Sequence, residues 1–156
     1  MKTTILLLAL ALATPAAAAD MMSVTAEKAN IRSGPGSNFE VVWAAGRYYP
    51  LEVLDREGNW IRVGDYENEE GWIYKSLLSK APAVVIVTRK ANIRSGPGME
   101  HPVAWVADKE CSLKVLDMRG EWYQVSDGEE TLGWLHKDVT WGFSGNSELE
   151  EAGAEL

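Results

Sequence analysis

The side chains best suited to covalent chemistry in this chain are one thiol, Cys111, and two imidazoles, His101 and His136. A cysteine beside a histidine is a nucleophile–base pair: the imidazole takes the thiol proton and the thiolate attacks. A second set suits binding rather than reaction. It holds seven tryptophans (Trp43, Trp60, Trp72, Trp105, Trp122, Trp134 and Trp141) and two arginines, Arg32 and Arg94, each following an isoleucine. An indole offers a large contact area and one donor. A guanidinium can grip a carboxylate with two parallel hydrogen bonds.

An internal repeat separates the two sets. KANIRSGPG at 28–36 returns unchanged at 90–98, an offset of 62 residues that then holds without a gap. Across 28–79 against 90–141, 24 of 52 positions are identical. The thiol and both imidazoles fail this comparison. Tyr49 stands where Cys111 would be, Phe39 matches His101, and Tyr74 matches His136. No nucleophile motif surrounds Cys111, so it reads as a small buried hydrophobe and the chain as a non-enzyme. A Cys-dependent hydrolase is the remote alternative. Two histidines without paired ligand spacing predict no metal site and no cofactor. The acidic loop 65–70 lacks the glycine and alternating carboxylates of a calcium loop and reads as a hairpin tip.

The binding set survives the comparison. Trp60 and Trp72 return as Trp122 and Trp134, and Arg32 as Arg94. Strand alternation puts Trp60 and Arg62 on one face and Ile61 and Val63 on the other, with Trp72 opposing Ile73. The aliphatic face reads as core, which leaves Trp60, Trp72, Trp122 and Trp134 as candidate ligand residues with Arg32 and Arg94. The alternatives are that the indoles cap the end of the fold, and that the arginines pair with Asp55 and Asp117 or stack on a tryptophan.

The elements that must hold these residues are short strands. Segments 51–53, 60–63 and 70–74 are rich in β-branched and aromatic residues, and a glycine-containing turn, 56–59, separates the first two. Segments 24–31 and 41–44 complete the set, and every element recurs in the second copy. Units of about 55 residues built from such strands predict an all-β fold of two tandem small barrels, whose closure would remove unpaired sheet edges. Pro35-Gly36 and Pro97-Gly98 predict type II turns with the glycine at positive φ.

Residues 1–19 carry a basic start, an apolar run at 5–12 too short to span a bilayer, and Ala17-Ala18-Ala19 before Asp20. That pattern predicts a cleaved secretory signal, hence a secreted or periplasmic protein with no stable membrane insertion. The two units are expected at 20–80 and 84–141, joined by a short linker, with an acidic disordered tail at 142–156. Loss of 1–19 moves the net charge from −8 to −9, which disfavours nucleic acid and other strongly anionic partners.

NIRSGPG, a Trp-bearing apolar segment, LxVLD, GxW and GW[IL], in that order and in both copies, resemble the bacterial SH3-like (SH3b) domain. The resemblance implies a five- to seven-strand SH3-like barrel in an exported protein. It also implies a targeting or binding module of the cell envelope, with peptidoglycan peptides among the ligands of some members. The expected function is therefore a non-catalytic module recognising a cell-wall peptide or an envelope protein. The alternative is a protein-interaction adaptor or regulator of an envelope enzyme. The loops differ most between copies at 37–40 against 99–102 and at 47–50 against 109–112, so unlike binding surfaces are expected.

Overall fold

The computed structural model describes residues 18–145 and Leu149. The predicted signal segment lies outside these apart from its last two residues. Strands run in chain order as β1 (Met21–Val24), β2 (Lys28–Arg32), β3 (Val41–Gly46), β4 (Pro50–Glu57), β5 (Trp60–Gly64), β6 (Glu70–Tyr74) and β7 (Leu78–Ser79). The second unit repeats them as β8 (Ala83–Ile86), β9 (Lys90–Arg94), β10 (Val103–Asp108), β11 (Ser112–Arg119), β12 (Trp122–Ser126), β13 (Thr131–His136) and β14 (Thr140–Gly142). Each unit is one antiparallel seven-stranded sheet, ordered β3-β2-β6-β5-β4-β1-β7 and β10-β9-β13-β12-β11-β8-β14. The all-β expectation holds. The hydrogen-bonded order is open, however: β3 and β7 end the first sheet and β10 and β14 the second, where closed barrels were expected.

The period of two decides what is inside. Ala29 and Ile31 of β2, Ile61 and Val63 of β5 and Ile73 of β6 are buried, while Trp60, Arg62 and Trp72 stand on the opposite face. The second unit buries the matching Ala91, Ile93, Tyr123, Val125 and Leu135.

The Gly-Pro-Gly turns differ from the expected type II geometry. Neither Gly36 nor Gly98 has positive φ. The Gly36 amide instead donates to the Gly34 carbonyl at 2.9 Å, and Gly98 to Gly96 at 3.0 Å, a three-residue turn about the proline. The glycines serve close approach. A Cβ on Gly34 would lie 2.4 Å from the Phe39 ring, and one on Gly96 2.6 Å from the His101 ring.

The two units share a packed joint. Val85 of β8 is fully buried within the first unit's core, and Trp141 of β14 packs against that same core. The Tyr66 ring lies 6.4 Å from Trp141 and its hydroxyl donates to Glu110. Burial, then that hydrogen bond, pushes the hydroxyl up to about 12, so it remains a donor. Lys109 reaches Glu67 at 3.3 Å, and Ser112 Oγ donates to the Arg47 carbonyl at 2.7 Å. A Cβ on Gly128 would meet Tyr48 at 2.6 Å. Tyr66 and Gly128 are equivalent positions, as are Tyr48 and Glu110, so the joint is an approximate two-fold with different residues on its two halves. Gly142 and Phe143, expected in the tail, belong to the second unit: Gly142 pairs with Val84 and Phe143 is buried, edge-on to Tyr123 at 5.0 Å.

Three stability outcomes follow. Gly133→Ala sets a Cβ 2.3 Å from the Arg94 carbonyl at φ +136° and costs about 3 kcal/mol. Gly120→Ala, at φ +57° in open space, costs about 1 kcal/mol. Urea midpoints at unchanged m-value check the order. Trp141→Ala removes a half-buried indole from the joint and costs about 3 kcal/mol. Calorimetry resolves two transitions in that variant against one in the parent protein.

Candidate functional site

The outward face of the first sheet carries a row set by register. Arg32 on β2 pairs with Trp72 on β6, Trp72 with Arg62 on β5, and Arg62 with Asp55 on β4. One step along, Trp60 pairs with Tyr74 and the rings meet edge-on at 5.4 Å. Gly71 makes this possible. A Cβ there would lie 2.3 Å from Ile31 and 3.0 Å from the Arg32 carbonyl, so only glycine lets β6 lie against β2 at this point.

Arg32 anchors the loop that walls the groove. Its Nη1 donates to the Phe39 carbonyl at 2.9 Å. Arg94 does the same to the His101 carbonyl at 2.9 Å, with Met99 O at 3.3 Å. The sequence alternatives of an aspartate partner or indole stacking are therefore replaced by a loop carbonyl. Arg62 takes Glu70 in an ion pair at 2.6 Å.

Between that loop and the aromatic pair lies a concavity of about 570 Å³. Lys28, Asn30 and Arg32 form its floor along β2, Ser37 and Asn38 its loop wall, and Trp60 and Tyr74 its far wall. Of the predicted residues, the structure brings Trp60 and Arg32 together here. Trp72, half-buried, lies beside Arg32 but does not line the concavity.

In the second unit Trp122 meets His136 edge-on at 5.0 Å. Trp134 is only 6% exposed, because Arg119 lies over its ring at 5.2 Å. It is thereby withdrawn from the set of surface ligand residues. Sequence reasoning missed Lys28, Asn30 and Tyr74. The available signal was the period of two that puts Lys28 and Asn30 on the face of Arg32, and Tyr74 on that of Trp72.

The residues suited to covalent chemistry stay apart. His101 lies on Gly96 and faces Glu100 at 3.5 Å. His136 Nδ1 accepts from the Asp138 amide at 3.3 Å. Cys111 packs against the second core, and burial, then the Asp108 charge, pushes its thiol up. Among the described residues no three His, Cys, Asp or Glu side chains cluster as metal ligands. The acidic loop is a self-capped hairpin tip, its Asp65 Oδ1 accepting from the Glu67 and Glu69 amides at 2.9 Å.

Two other surfaces stand out. Concavities of about 320 and 690 Å³ open at the joint, but the cations lining them, Lys80 and Lys137, are held by Asp20 and Glu121. Edge strand β10 exposes Trp105 by 53% and Val106 by 57%. Its counterpart Trp43 is tucked edge-on against Tyr49 at 5.8 Å. Cys111 supplies no ring at that place in the second copy, so Trp105 stays out.

A family model described as bacterial SH3 domain matches residues 25–80 and again 87–142. The chain belongs to that family, in two tandem copies. It is 25% identical over 150 residues to the putative N-acetylmuramoyl-L-alanine amidase YrvJ of Bacillus subtilis, covering 84% of this chain and 28% of that protein. It is 28% identical over 64 residues to the probable cell wall amidase LytH of Staphylococcus epidermidis, covering 40% of this chain and 22% of the other. The chain thus spans less than a third of these relatives. Among solved structures, an NlpC/P60 family protein from Bacillus cereus aligns with TM-score 0.37 and 15% identity over 78% of this chain and 56% of that one.

Because burial disfavours the thiolate, iodoacetamide alkylates Cys111 more slowly in the folded protein than in urea. The folded rate keeps rising at pH values where the unfolded rate has levelled off. A faster rate in the folded protein at neutral pH would show an activated thiol instead.

Proposed function

We propose that this chain is an exported, non-catalytic binding module of the cell envelope that recognises a cell-wall peptide through the groove of its first unit. The observation that carries the reading is the groove itself. An edge-on aromatic pair, Trp60 and Tyr74, faces a polar floor and a loop held in place by Arg32. Flat aromatic surface opposite convergent donors is the arrangement that binds extended peptides and sugars. Membership of the bacterial SH3 family, and relatives named as cell-wall amidases, support a wall-related role. The half-buried Cys111, whose thiol is pushed up toward the protonated form, and the separated histidines support a role in binding rather than hydrolysis.

A second reading, as an adaptor or regulator of an envelope enzyme, is favoured by a different surface. Trp105, Val106 and Val103 project from an unpaired edge strand, the kind of surface that adds a partner strand.

Co-sedimentation with purified peptidoglycan sacculi tests the first reading. The protein starting at Asp20 pellets with sacculi, Trp60→Ala weakens this by about tenfold, and Trp105→Ala leaves it unchanged. Failure to pellet, or loss with Trp105→Ala alone, transfers the function to the β10 edge.

A further inference from the structure

We propose that the groove of the first unit, and not its equivalent in the second, is built to hold a carboxylate, with Lys28 as the charge that draws it in. The inference rests on reading that groove as the ligand site. It reverses locally what the net charge implies globally.

The chain carries a net charge of −8, yet the residues lining the groove include Lys28 and Arg32 and no carboxylate. Two of the flanking acids are already engaged. Glu27 holds Arg47 at 2.6 Å and Glu70 holds Arg62 at 2.6 Å. Arg32 uses Nη1 on the Phe39 carbonyl. That bond fixes the guanidinium plane and leaves further N–H groups for a ligand.

The second copy shows how the same framework is neutralised. Lys90, the counterpart of Lys28, pairs across the strands with Asp108 and holds it in an ion pair at 2.5 Å. In the first copy the residue across from Lys28 is Gly46, which has no charge to give. The loop wall changes in the same sense: Ser37 and Asn38 become Met99 and Glu100. Among the described residues the first groove presents an unspent ammonium beside a pre-oriented guanidinium, while the matching positions of the second unit present a spent ammonium and an added carboxylate. The indole and phenol of Trp60 and Tyr74 shield one side from water, which strengthens a charge-assisted hydrogen bond. The carboxylate of an extended peptide has two sources, the chain terminus and an acidic side chain, and both satisfy this geometry.

The test exchanges one residue between copies. Gly46→Asp restores the neutralising partner, and the site tolerates it, since an added Cβ meets only the Glu27 carbonyl at 3.8 Å. Binding is read by NMR chemical-shift titration with acetyl-Ala-Ala, its C-terminal amide, and acetyl-Glu-amide. Acetyl-Ala-Ala, acetyl-Glu-amide or both shift the resonances of Lys28, Arg32 and the Trp60 indole, the stronger of the two identifying the source, and the neutral amide does not. Gly46→Asp and Lys28→Gln each weaken binding about fivefold, added salt weakens it further, and Asp108→Gly confers a response on the second groove. Equal binding of acid and amide, no shift with either acid, or indifference to both first-groove variants overturns the proposal. Sacculus binding that needs Trp60 yet ignores Gly46→Asp would leave the groove as the ligand site and overturn only the carboxylate.

Discussion

The structure depends on one packing event, the insertion of Val85 and Trp141 from the second unit against the core of the first. A sheet of about 55 residues has little core of its own. Here the second unit lends Val85 and Trp141 to the core of the first, while the second core is built from its own residues. Polar contacts then set the register of the docking. Tyr66 reaches Glu110, Ser112 reaches the Arg47 backbone, and Tyr48 occupies the space that the absent Gly128 side chain leaves.

This joint explains why the copies differ where they do. Segments 47–50 and 109–112 are the most divergent loops, which in sequence suggested unlike ligand surfaces. They are instead the two sides of one interface. An exact two-fold would have repeated the Tyr66–Glu110 contact on the other half, where Gly128 and Tyr48 stand instead and the bulk is reversed. Divergence at 37–40 against 99–102 has another cause. Phe39 and His101 do the same job, each laying a flat ring on a glycine of the Gly-Pro-Gly turn, while the residues just before them, Ser37 and Asn38 against Met99 and Glu100, change what the groove wall presents.

The groove is a by-product of backbone constraints that serve the fold first. Gly71 and Gly133 bring β6 and β13 against the carbonyls of Arg32 and Arg94. The same arginines reach forward to loop carbonyls and hold the excursion that walls the groove. The repeated residues thus build the same framework in both units, and the positions that differ change what that framework presents. Gly46 against Asp108 is one such position, and Tyr49 against Cys111 is another, since the first tucks Trp43 in and the second leaves Trp105 exposed.

Strand positions, the inward and outward faces of β5 and β6, and the tandem organisation were legible in the sequence. They follow from local periodicity and from a gapless repeat, and neither needs a partner to be known. The family was legible for the same reason, because its motifs are framework residues. What tertiary structure alone decided is everything that depends on distance between segments far apart in the chain. The Gly-Pro-Gly glycines looked like turn residues, but a ring several positions on is what excludes a side chain. Trp134 matched Trp72 in sequence, yet Arg119 covers it. Gly142 and Phe143 read as tail by composition and belong to the second sheet and core. The free charge on Lys28 is invisible in a sequence of net charge −8, because whether a lysine is neutralised depends on which residue lies across the strand, and pairing between strands decides that.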